Sequence, residues 1–145
     1  MKKVKLLIVA CLIASVSFTS CEKEIEGCTD IEAINYNSNA NKSGTCSYDA
    51  ILTFFLTQSS STDLINSGLT SIKIYINNEY AGILPTNIFF ASIPTCGENG
   101  TLEIPYQLGT NKSTQLIITV TDNNNIAFYS GVATLKAKDC LKIAL

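Results

Sequence analysis

"SIKIYINNEYAGIL", residues 71–84, decides the fold. Ile72, Ile74 and Ile76 alternate with Ser71, Lys73 and Tyr75, so an extended chain sends the isoleucines to one face and the wettable side chains to the other. Asn77-Asn78 interrupts the alternation and "EYAGIL" resumes it, as expected of a two-residue β-hairpin. A sheet with one apolar face needs a second layer to cover that face.

The same texture extends in both directions. "ILTFFLT" (51–57) sets Leu52, Phe54 and Leu56 opposite Ile51, Thr53 and Phe55. Downstream lie "NIFFASI" (87–93), "TLEIPYQL" (101–108), "TQLIITVTD" (114–122), "IAFYSGVATLK" (126–136) and "CLKIAL" (140–145). Leu116, Ile118 and Val120 share a face, as do Leu141, Ile143 and Leu145. Turn residues at Gly100, Gly109-Thr110-Asn111 and Asn123-Asn124-Asn125 divide these runs. After the leading segment, no stretch repeats its apolar residues with a helical period. The expectation is an all-β chain, an antiparallel β-sandwich of about seven or eight strands over residues 49–145, with Pro105 placing its strand at an edge.

The start of the chain has a different character. "MKKVK" is followed by the apolar stretch "LLIVACLIASVSF" (6–18), the pattern of a secretory signal over residues 1–20. Phe18-Thr19-Ser20-Cys21 closes that stretch and resembles a bacterial lipobox, which implies cleavage before Cys21 and lipid on its thiol. Phe18 stands where leucine is usual. Cys11, in "IVAC", is the weaker candidate because cleavage there leaves too short an apolar segment. Residues 21–27 then read as a charged tether, and the expected location is the bacterial cell envelope, in the outer membrane.

With Cys11 and Cys21 set aside, Cys28, Cys46, Cys96 and Cys140 remain, an even number in an exported chain. Four cysteines allow three pairings; locality favours Cys28 with Cys46 and Cys96 with Cys140. No C-x-x-C spacing supports a zinc site on the same thiols.

Residues 28–48 are rich in Asn, Ser, Thr and Gly and could not bury a core alone. Gly27-Cys28-Thr29-Asp30, Ala33, Asn35-Tyr36-Asn37, Asn39-Ala40 and Gly44-Thr45-Cys46 resemble a short cysteine-bounded repeat of secreted proteins from Bacteroidota-type bacteria. The resemblance implies a module and no activity. Asn37, Asn39 and Asn41 echo the alternating oxygens of a calcium loop, but Lys42 and Ser43 occupy positions where the repeat often has acids. The asparagines are therefore expected to supply turns and left-handed backbone positions. Residues 71–145, and above all Pro94-Thr95-Cys96-Gly97, also resemble a small β-domain of lipoproteins from the same bacterial group.

Composition narrows the function. Lys2, Lys3 and Lys5 fall in the signal and all twelve acids follow it, leaving seven lysines against twelve acids, a net charge of −5. No basic patch suits nucleic acid. The chain has no histidine, which rules out Ser-His-Asp and Cys-His nucleophile pairs.

The leading expectation is a non-enzymatic, lipid-anchored envelope protein that binds or presents an envelope protein or glycan, with no cofactor and no metal. Its membrane partner is reached through lipid on Cys21. Tyr80, Phe89, Phe90 and Tyr129 are the candidate ligand surface, with Tyr106 and Phe128 as further aromatics. An assembly component is the alternative, distinguished by an accessible strand edge. A hydrolase using two of Glu98, Glu103, Asp122 and Asp139 is the second alternative.

Overall fold

The computed structural model describes residues 23–145. The expected signal segment and Cys21 lie outside the described residues.

Among the described residues, nine strands and one helix follow in chain order. They are β1 (Glu26–Gly27), β2 (Lys42–Ser43), β3 (Tyr48–Phe55), α1 (Gln58–Asn66), β4 (Ser71–Ile76), β5 (Glu79–Pro85), β6 (Leu102–Gly109), β7 (Ser113–Thr121), β8 (Ala127–Lys136) and β9 (Cys140–Ala144). Two sheets form the sandwich, one ordered β5-β4-β7-β8 and the other β6-β3-β9. All pairings within them are antiparallel except β3 with β9. The fold is thus an all-β sandwich of seven strands, with β1 and β2 pairing separately in parallel.

The hairpin that sets the fold forms as its sequence demands. Asn77 and Asn78 both take left-handed backbone angles, φ 51° and 69°, which asparagine tolerates and a two-residue hairpin turn requires. Ile72 and Ile74 are fully buried, and they meet Leu116, Ile118 and Val120 of β7 and Leu52 and Phe54 of β3 in one apolar core. Pro105 lies on β6, at the edge of its sheet, where a missing N–H costs no internal ladder bond.

Three features differ from the sequence expectation. First, β3 is buried on both faces: Thr53 and Phe55 are covered as well as Leu52 and Phe54. The covering layer is residues 86–101. The Phe90 N–H donates to the Leu56 carbonyl at 2.9 Å, and its ring meets Phe55 edge-on at 6.1 Å. Further along, Pro94 is buried and Cys96 is bonded to Cys140, whose Sγ lies 3.4 Å from Thr53 Oγ1.

Second, "NIFFASI" forms no strand; it supplies this cover and makes one isolated bridge, Phe90 to Thr57, just beyond the end of β3. Third, α1 forms without an apolar period because its ends are well satisfied. Thr57 Oγ1 accepts from the Ser60 N–H at the start. At the exit Gly68, at φ 78°, donates to Ile65 while Leu69 donates to Leu64, a Schellman ending.

The leading module is held by polar bonds. Cys28 is bonded to Cys46 with Cα atoms 4.9 Å apart. Asn35 donates to the Thr45 carbonyl and accepts from the Ser47 N–H, both at 2.9 Å. Asn37 accepts from the Asn39 N–H at 3.0 Å, and Asn41 accepts from the Ile25 N–H at 2.7 Å. These asparagines supply turns as expected, but through their side chains; the left-handed asparagines are Asn77, Asn78 and Asn125, all outside the module. Residues 23–27, expected in the tether, are built into the module by these bonds and by β1–β2 pairing. Gly27 and Gly44 let the two segments cross, since a Cβ on Gly44 would sit 3.1 Å from the Gly27 backbone.

Candidate functional site

The two ends of the sandwich are used differently. At one end, where β3 begins and the β6–β7 and β8–β9 turns lie, the module is docked by charge. The Lys112 ammonium lies 2.5 Å from Asp30 Oδ2 and 2.9 Å from Glu32 Oε2, and 5.7 Å from the centre of the Tyr48 ring. The Tyr48 hydroxyl donates to the same Asp30 oxygen at 2.7 Å, while the Glu32 N–H donates to Asp30 Oδ1 at 3.0 Å. Lys138 Nζ donates to the Ile31 carbonyl.

The Asp30 carboxyl therefore loses its proton unusually easily. Lys112 first, then the Glu32 N–H and the Tyr48 hydroxyl, bring it down to about 2. The same contacts push Lys112 above its ordinary value, through Asp30 and then Glu32, and Asp30 pushes the Tyr48 phenol up. Asp30, Glu32, Tyr48 and Lys112 partner one another, so the cluster acts as a joint, and Glu32, Lys112 and Lys138 also line a charged hollow of 530 Å³ beside it.

The opposite end is open. The eight residues of β3 span about 25 Å at strand rise, and beyond Phe55 the chain enters α1. A cleft of 780 Å³ opens there between the start of α1 and residues 90–93. Phe55, Phe90 and Ile93 give it apolar wall, and Thr57, Ser59 and Thr62 give it hydroxyls. A second hollow of 310 Å³ adjoins it, sharing Asp63 and Ala144, and is lined by Leu64, Phe128, Tyr129 and Leu145. The arrangement suits a ligand that lays an apolar or ring face against aromatics and offers hydroxyls to a polar rim.

The expected surface residues divide between two places. Phe90 lines the larger cleft and Tyr129 the adjoining hollow, and Phe89 is exposed on the same covering segment. Tyr80 belongs elsewhere. It is exposed on β5, stacked edge-on against Tyr75 at 5.7 Å, beside a hollow that includes Tyr106.

Of the four acids weighed for hydrolysis, Asp122 and Asp139 lie in two different turns, while Glu98 and Glu103 both lie beside Gly97. Glu98 accepts from the Thr95 N–H and hydroxyl, and Asp122 accepts from the Asn124 and Ile126 N–H groups, so each closes its own turn. Glu103 lies near Gly97 on the covered face of the smaller sheet, and Asp139 sits in the β8–β9 turn at the docked end.

Thr57, Ser59, Thr62 and Asp63 were not among the residues the sequence singled out. Their signal is the capping pattern itself: Thr57 three residues before Ser60, and Gly68 just past the last turn. Comparisons with protein-family models, with curated proteins and with solved structures found no match for this chain.

Proposed function

We propose that this chain is a lipid-anchored protein of the bacterial cell envelope that acts by contact and without turnover, holding a ligand at the far end of its sandwich. The observation that carries the reading is the opposition of the two ends. The module that follows Cys21 is docked at one end by Asp30 and Lys112, and the aromatic and hydroxyl-lined clefts lie at the other. A lipid on Cys21 would set the docked end toward the membrane and turn the clefts away from it. The lipobox-like Phe18 to Cys21 and the basic and apolar segment before it support export and lipid attachment at Cys21. Firm anchoring takes more than one acyl chain, since one alone binds with only about 10⁴ M⁻¹.

Metabolic labelling of producing cells with a palmitate analogue tests the anchor. The account expects label on the wild-type chain and none on Cys21→Ala; a labelled Cys21→Ala protein would overturn it.

A further inference from the structure

The sandwich has four edges, and three of them are blunted. β6 carries Pro105 and Glu103, and β5 opens on Glu79, ends on Pro85 and pairs with β4 through a bulge. β9 is five residues long, carries Lys142, and begins at the cysteine bonded to the covering segment. These are the ordinary protections against edge-to-edge pairing.

β8 has far less protection. It is ten residues long and forms the outer edge of the larger sheet. From Ala127 to Leu135 it contains neither charge nor proline. Beyond a bulge at its start it runs from Tyr129 to Lys136 in unbroken register with β7. Phe128, Tyr129 and Val132 are exposed, Val132 by 67%.

We propose that β8 is a dimer seam, pairing antiparallel with β8 of a second copy of this chain and joining two four-stranded sheets into one. The charges choose this partner. Asp122 closes the turn before β8 and Lys136 ends the strand. A two-fold axis near the middle of β8 brings the Lys136 end of each strand beside the turn that Asp122 closes on the other copy. Parallel pairing in register would instead set Lys136 on Lys136. The seam meets the smaller hollow at Phe128 and Tyr129 but shares no residue with the larger cleft, so the dimer is tested without any ligand.

Sedimentation of the purified protein over a wide concentration range tests it. The expected result is a two-fold rise in mass with concentration, lost in Ser130→Lys/Val132→Lys, which places like charges opposite each other at the axis. Should that variant fold poorly, Thr134→Lys gives a milder test, and hydrogen exchange on the wild type gives another. The amides of residues 129–135 should exchange more slowly as concentration rises. A wild-type protein monomeric throughout would overturn the proposal, as would a dimer unaffected by the lysines. So would β8 amides protected equally at all concentrations, which would mean that the chain covers its own edge.

Discussion

The docked end and the open end of the sandwich are made from the same kinds of residue and put to opposite use. At the docked end, Asp30, Lys112, Tyr48 and Glu32 satisfy one another, and the asparagines of the module turn inward to its backbone. At the open end, Phe90, Ile93, Ser59 and Thr62 line space that the protein leaves unfilled. A polar group with a protein partner contributes to rigidity, whereas one facing a cleft remains available to a ligand. The difference teaches where this small chain spends its bonding capacity, and it separates residues that hold from residues that are free to bind.

The largest blow to the docked end should come from the module's disulfide. Among residues 23–47, ahead of β3, Cys28 and Ala33 are the buried apolar residues, so little hydrophobic burial replaces the bridge. Cys28→Ala/Cys46→Ala is expected to cost about 3 kcal/mol, for a bridge spanning 18 residues. Denaturant unfolding of the variant against the wild type measures it.

A smaller effect is expected at the open end. Thr57→Ala removes the cap of α1 and should cost about 1 kcal/mol. Because Thr57 also lines the cleft, the same change should loosen one wall, seen as faster hydrogen exchange in residues 58–62 with the module unaffected.

The smallest effect is electrostatic and appears in acid. Asp30 titrates at about 2 in the folded protein, below the unfolded value of about 3.9. Its contribution to docking is therefore fully present above about pH 4 and is lost as the pH falls toward 2. Carboxyl-carbon NMR across that window should show Asp30 titrating late. In Lys112→Met its midpoint should move up toward the ordinary carboxylate range, because Lys112 is the largest cause of the depression.

How much of this was legible in the sequence depended on whether the relevant contacts were local. The alternation at 71–76, the Asn77-Asn78 turn and the edge position of Pro105 each follow from a few neighbouring residues. β3 was harder. Its run "ILTFFL" reads as alternating faces, yet a continuous apolar run also fits a strand covered on both sides. What covers it, the segment of Phe90 and Pro94, reads as another strand until its bonds to Leu56 and Cys140 are known. α1 is announced only by its caps, since Ser59 to Thr62 carry no apolar stripe.

The site was legible only in part. Phe90 and Tyr129 stand out as aromatics, but the clefts are assembled from the end of β3, α1, the covering segment and the last residues of the chain. No spacing in one dimension records that meeting. The joint between Asp30 and Lys112 is hidden for the same reason, its partners being joined only once the β6–β7 turn reaches the module.

The central claim is that contact with a ligand occurs at the open end, away from the module. Amide-resolved NMR during titration with solubilised envelope glycans tests it most directly. The account predicts shifts at Ser59, Thr62 and residues 90–93, weakened in Phe90→Ala without loss of fold, with Glu32, Lys112 and Lys138 silent. Shifts centred on the module and the Asp30–Lys112 joint, with residues 90–93 unmoved, would contradict it.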